Sequence, residues 1–314
     1  MNKKLFFAAS LGFLLAACST AEEYEKEPIP VRITAGLGTT NARSVDQNWN
    51  SDVIGVSVIS DTYNTMTNET NTNVQYKTDS RESTATFTPV SSSILFNAGY
   101  EGSATFAAYA PYTASVTGGA VNINTQQNND TQENQEKNLD FLFATGASAS
   151  FASPNVVFEG SHAFVHKMIQ LNLYIKTVKT DDLTVDISSA TDITLGGLIH
   201  TGTINITTGE ISTSGETVSS WSILKQYHTD SDVDQSRTYS LIVLPQSLTD
   251  ALTLSVTIQG KTYTNKTIKP DLTKNGRAYN YMISVQGNGG IKVEGSTITA
   301  WDKQDYEEGN AYQE

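Results

Sequence analysis

The side chains with chemical potential are few: one thiol, four imidazoles and one arginine set among small residues. Cys18 is the sole cysteine, so no disulfide can form within the chain. Its thiolate would be a soft nucleophile, and the small side chains of Ala16 and Ala17 leave access to it. His162 and His166 are four apart. On a helix that spacing puts two imidazoles on one face, as in a zinc motif. The glutamate of that motif is absent, and Phe164, Val165, Ile169 and Leu171 give a strand-like context. On a strand the two rings would lie about 13 Å apart, too far to share a metal. His200 and His228 have no partner legible in the sequence. No Gly-x-Ser-x-Gly elbow and no Gly-rich phosphate loop ending in Lys-Ser or Lys-Thr occurs. Asp181-Asp182 sits at a turn-like position and reads as solvated. No catalytic, metal or cofactor residue is therefore expected. Arg43 is the only basic residue between Arg32 and Lys77, and it follows the loop Gly36 to Asn41 with its two glycines. Exposed loops of small residues are where proteolytic nicking concentrates.

The N-terminus gives the thiol its setting. Lys3 and Lys4 precede an apolar run, Leu5 to Leu15, broken only by Ser10 and Gly12. A permanent spanning helix needs about 20 apolar residues, so a short run behind a basic start reads as a secretory signal. It ends in Leu15-Ala16-Ala17-Cys18, which resembles the lipobox of bacterial lipoproteins. That resemblance implies cleavage between Ala17 and Cys18, with acyl chains (palmitate among them) attached at Cys18. Ser19 in place of aspartate favours passage to the outer membrane. Glu22, Glu23, Glu25 and Glu27 follow; they resemble the surface-export signal of Bacteroidetes lipoproteins, or form a solvated acidic tether. Acyl chains hold a protein on a membrane without a spanning helix.

Composition bounds the rest. The chain has 314 residues, 17% charged side chains and a formal net charge of −13; losing Lys3 and Lys4 takes the mature form to −15. An acidic surface repels phosphate backbones, so nucleic acid is not an expected partner. Polarity carried by Ser, Thr and Asn rather than by charge suits an extracellular β-rich protein.

Strand patterns dominate. Val53 to Ile59 and Thr105 to Ala110 are two such runs, the second stopped by Pro111. Val121 to Asn124 alternates, and Ile169 to Lys176 alternates apolar and polar over eight residues, which predicts a half-buried strand. Further runs are Thr203 to Ile206, Tyr239 to Leu244, Leu252 to Ile258 and Tyr279 to Val285. Gly, Asn and Ser clusters separate them. Many short strands divided by turns predict an all-β, sandwich-type fold. Thr62 to Asn73 and Gln126 to Asn138 hold too little apolar mass to offset ordering entropy and are expected to be surface loops.

A series of stretches then resembles the fimbrillin family of Bacteroidetes, the builders of type V pili. After the lipobox come Val31-Arg32-Ile33-Thr34-Ala35, Asn41-Ala42-Arg43 and Trp49-Asn50-Ser51-Asp52-Val53-Ile54-Gly55-Val56. Phe106 to Tyr112, ending in Pro-Tyr, and Asp140-Phe141-Leu142-Phe143-Ala144 follow in the family's order. In Phe164-Val165-His166-Lys167-Met168 the lysine directly follows the histidine, a departure from the family pattern. Gly276 to Tyr281 and Ile298 to Trp301 close the series.

The resemblance implies two transthyretin-like β-sandwich domains in tandem. They would be residues 31–153 and 154–314, behind a signal at 1–17 and a tether at 18–30. It implies a lipid-anchored subunit delivered to the outer membrane and cut by a trypsin-like protease between Arg43 and Ser44. The cut would release the first strand and let other fimbrial subunits join by strand exchange, supporting adhesion to a host or bacterial surface ligand. The segment Ile291 to Tyr312 would either supply the donated strand or complete the last sheet. The competing expectation is a surface glycan-binding lipoprotein. With Trp49 and Trp301 in packed motifs, Trp221 is the tryptophan left for stacking on a sugar.

Overall fold

The computed structural model describes residues 27–301 apart from 39–47, 51, 62–64, 67–70, 100, 128–129 and 288–289. Ala17, Cys18, Arg43 and Ser44 lie outside the described residues. The fold is all-β, and every run read as a strand forms one.

In the N-terminal half one sheet of eight strands runs in the order Asn155–Phe158, Arg32–Gly36, Thr84–Pro89, Val74–Lys77, Val53–Ser60, Ser103–Ala110, Leu142–Ser150 and Val165–His166. The sheet curls, so that Phe158 at one end and Leu142 near the other share one buried cluster with Ile33, Val56, Phe87 and Phe106. Val53–Ser60 is β-branched enough to hold an interior position. Gly55 within it is required by close approach, because a Cβ there would run into the ring of Tyr109 on the neighbouring strand.

In the C-terminal half two sheets face one another. One runs His228–Ser231, Ser236–Val243, Ile169–Val178, Arg277–Gln286 and Gly290–Ala300; the other runs Trp221–Ser222, Asp192–Gly196, Leu252–Ile258 and Lys261–Ile268. The alternation of Ile169, Leu171, Leu173 and Ile175 points them at Ile193, Leu195, Leu254 and Val256 across a sandwich core. Each such side chain taken out of water contributes about 1.5–3 kcal/mol. The opposite face of Ile169–Val178 departs from expectation. Gln170 and Asn172 are buried too, and Asn172 Nδ2 donates to Asn280 Oδ1 at 2.8 Å.

The strands that follow residue 153 pair back into the N-terminal sheet. The expected division at 153/154 falls just ahead of Asn155–Phe158, which pairs in parallel with Arg32–Gly36, and Val165–His166 still pairs with Leu142–Ser150. Ile169–Val178 pairs with Ser236–Val243 and Arg277–Gln286. The halves also share a four-stranded sheet, Ile211–Ser214, Thr201–Asn205, Ala120–Asn124 and Val116–Thr117. Its apolar side chains Val121, Ile123 and Ile204 join Tyr109, Phe143, Met168, Leu244 and Trp301 in a third core.

One expected loop is corrected, and the other holds buried residues. Within Gln126–Asn138 a helix forms at Gln132–Asn138. Thr131 caps it by accepting from Asn134 N at 3.1 Å, and Gln135 Nε2 donates to Ser240 O at 2.6 Å on the C-terminal half. Tertiary hydrogen bonds and the burial of Leu139 supply what local apolar content could not. Within Thr62–Asn73, Thr65 and Met66 are buried, with both backbone N–H groups donating to the Asp61 carboxylate.

Candidate functional site

An early five-residue strand, just after the short pairing of Ile29–Pro30 with Leu95–Phe96, occupies a slot. Arg32–Gly36 lies between Thr84–Pro89, antiparallel on one side, and Asn155–Phe158, parallel on the other. Its backbone is held beyond the strand ends as well. Val31 N donates to Ile94 O at 2.8 Å, Leu37 N to Ser83 O at 3.1 Å, and Phe164 N to Gly36 O at 3.1 Å. Val31, Ile33, Ala35 and Leu37 all point into the core and are buried, as alternation requires. Across the sheet Ile33 sits between Phe87 and Val156, and Ala35 between Ala85 and Phe158.

Trp49 closes this slot. Its indole Nε1 donates to Ala35 O at 2.9 Å. The ring meets Phe87 edge-on at 5.0 Å and Phe164 edge-on at 5.2 Å; Phe158 meets Phe164 at 5.8 Å. Such edge-to-face pairs contribute about 0.5–1.5 kcal/mol beyond burial. A strand removed from here would leave unpaired backbone groups on two neighbours at once. Each buried unsatisfied group costs roughly 1–3 kcal/mol.

The imidazoles are built into the scaffold. His162 Nδ1 lies 2.9 Å from Thr145 O, and the residue belongs to a short 3-10 turn, Gly160–His162, rather than to the strand its neighbours suggest. His166 is on a strand, with Nδ1 2.6 Å from Asp140 Oδ1. Trp301 stacks flat on its ring at 4.6 Å, so this imidazole–carboxylate pair is shut off from solvent. His200 Nδ1 lies 2.8 Å from Thr125 Oγ1, and burial pulls its pKa down to about 4. His228 Nδ1 lies 2.7 Å from Gln226 O. Burial lowers the Lys167 ammonium pKa, while burial raises the Tyr109 phenol to about 12. Among the described residues no cluster of three His, Cys, Asp or Glu side chains is arranged to hold a metal. Asp181-Asp182 forms the turn expected of it.

Sequence reasoning missed that Asp140, His166 and Trp301 meet. A signal was present, since each sits in a different one of the ordered motif stretches, but distance along the chain hid the contact. The glycan-stacking expectation is corrected at Trp221, which is 4% exposed and packs edge-on to His200 at 4.6 Å. It sits in the sandwich core and offers no platform.

Packed β-sheets around a buried, doubly paired first strand define a strand-built scaffold protein. The chain belongs to the fimbrillin-like family, whose sequence model matches residues 40–301, a family that is structural rather than catalytic. A crystal structure described as a candidate cell adhesion protein from Bacteroides ovatus is similar to it, with TM-score 0.66 and 24% identity over 89% of this chain and 100% of the other. One described in the same words from Bacteroides uniformis has TM-score 0.63 and 20% identity over 87% of this chain and 99% of the other. At that identity the likeness concerns the fold. No curated protein matches the sequence. Among the described residues no helix is long and apolar enough to cross a membrane.

Proposed function

We propose that this protein is a structural subunit of a surface pilus, exported as a lipoprotein and polymerised by strand exchange. Family membership supports the fimbrial, adhesion-related and surface-exposed part of this reading. The observation that carries the exchange step is the position of Arg32–Gly36, paired on both sides and apolar-inward throughout. In the proposed sequence of events the lipid on Cys18 delivers the chain to the outer membrane. A trypsin-like protease cuts between Arg43 and Ser44, the first strand leaves, and another subunit's strand fills the slot. The two halves act as two β-sandwich domains of one subunit.

The pattern Val/Ile-x-Val/Ile-x-Ala/Gly-Gly/Ser at Val31–Gly36 recurs once in the sequence, at Ile291–Ser296. That recurrence supports the C-terminal segment as the donor. In the isolated subunit Gly290–Ala300 completes the last sheet instead, and residues 302–314 lie outside those described.

Trypsin treatment of the purified protein with N-terminal sequencing tests this reading. The expected result is a fragment beginning at Ser44 and, on incubation, polymers in electron micrographs. A protein that stays intact at Arg43 and monomeric under these conditions contradicts it.

A further inference from the structure

The slot is uneven along its length, and this unevenness says which strands it can accept. At Val31 and Ile33 it takes large branched side chains, both buried. At the next inward position it takes only the methyl of Ala35, flanked by Ala85 and Phe158 and fully buried. Trp49 hydrogen-bonds the carbonyl of that same residue, so the indole is fixed beside it by its edge contacts to Phe87 and Phe164. One residue on, a Cβ at Gly36 would come within 3.2 Å of Thr84 Oγ1 and 3.3 Å of Glu159 Cγ, from the two flanking segments. Two adjacent positions thus restrict size from different directions, one through the aromatic cluster and one through the neighbouring strands.

We propose that Trp49 and the residues flanking Gly36 form a size filter that reads an incoming strand. The filter rests on the strand-exchange reading above and adds its partner chemistry: an extended segment with two branched apolar residues at alternate positions, then Ala or Gly, then Gly or at most Ser, whose Cβ the side chains of Thr84 and Glu159 admit by shifting a few tenths of an ångström where a branched Cβ would need more. The backbone hydrogen bonds of the slot are sequence-independent, so they hold any strand and fix its register. Discrimination comes from packing. A close-packed core rejects added methylenes because neighbours must leave their rotamers to admit them. Trp49 contributes to both parts, since its Nε1–H reads a main-chain carbonyl that every strand presents and its ring limits the side chain that accompanies it.

The test uses the full chain nicked with trypsin and unfolded briefly in urea, then refolded with excess synthetic peptide spanning residues 29–38. Native mass spectrometry measures incorporation into the nicked protein. The native peptide is expected to incorporate. A peptide carrying Ala35→Leu is expected to incorporate at least tenfold less, and one carrying Gly36→Val less as well, whereas Thr34→Val on the outward face should match the native peptide. In a Trp49→Phe protein, which keeps an aromatic ring but gives up its bulk and donor, the Leu-bearing peptide should regain incorporation relative to native. Failure of every peptide, native included, overturns strand exchange and the filter together. Equal incorporation of native and Ala35→Leu peptides by the wild-type protein overturns the filter and leaves strand exchange standing.

Discussion

Two strands near opposite ends of this chain are held in opposite ways. Arg32–Gly36 near the start is interior, with a hydrogen-bonded neighbour on each side and every inward side chain buried. Gly290–Ala300 at the end is an edge strand paired only with Arg277–Gln286. Ile298 shares its row with buried Tyr279 yet is 62% exposed, because the facing sheet does not reach over it. Losing the first strand opens a sheet in its middle, whereas losing the last peels an edge. A strand that detaches at small cost and a slot that is costly to leave empty are what an exchange between subunits requires. Position in the sheet, more than apolar content, separates the two strands.

The sharpest way to break this comparison is a matched pair of charges. Ile33→Asp buries an unpaired carboxylate in the slot and should destabilise the protein by about 4 kcal/mol or more. Ile298→Asp changes an exposed side chain and should change stability by no more than about 0.5 kcal/mol. Urea unfolding followed by fluorescence measures both, and equal effects would erase the distinction.

The edge strand is also anchored at its end. Trp301 follows Ala300, continues its pairing through Trp301 N donating to Gly276 O, and is buried against His166 and the third core. Trp301→Ala should cost about 3 kcal/mol and should speed amide exchange along Gly290–Ala300 more than along Arg32–Gly36. Hydrogen-exchange mass spectrometry reads the difference, and uniform acceleration would mean that Trp301 holds the whole molecule rather than one strand.

Acid tests the junction between the halves. His200, in the C-terminal half, binds Thr125 of the N-terminal half through its ring and its carbonyl. Its folded pKa, lowered by burial to about 4, lies below the unfolded value near 6.5. Between those values the unfolded chain binds the extra proton, so stability falls as pH drops from 6.5 towards 4. The loss from this residue is roughly 2–3 kcal/mol. His200→Gln should flatten the pH dependence of the melting temperature across that window, and an unchanged profile would remove His200 as its source. The smallest effect belongs to the bridging helix. Thr131→Ala removes its N-cap and should cost about 1 kcal/mol, measured by the same urea titration.

Much of the fold was legible because period-two alternation follows from strand geometry alone. Ile169–Val178 and Leu252–Ile258 could be read directly, since each inward side chain faces a single core. Asn172 and Gln170 could not. Their row is covered through contacts such as Gln135 with Ser240, more than 100 residues apart in sequence. The helix at Gln132–Asn138 was hidden for the same reason, its stability coming from the surface it docks on. Trp221 read as a free ring because burial depends on which sheet packs over it.

The sequence by itself determined the strands, their turns and the pattern of the first strand, because these depend on neighbouring residues and local sterics. It also carried the lipobox-like stretch ending at Cys18 and the basic residue at Arg43, both readable without a fold. Only the tertiary structure decided that Arg32–Gly36 is interior while Gly290–Ala300 is an edge, and that Asp140, His166 and Trp301 converge. The physical reason is that hydrogen-bond partners in a sheet are chosen by closure of distant chain segments. Alternation specifies which face a side chain takes but not which strand lies beside it.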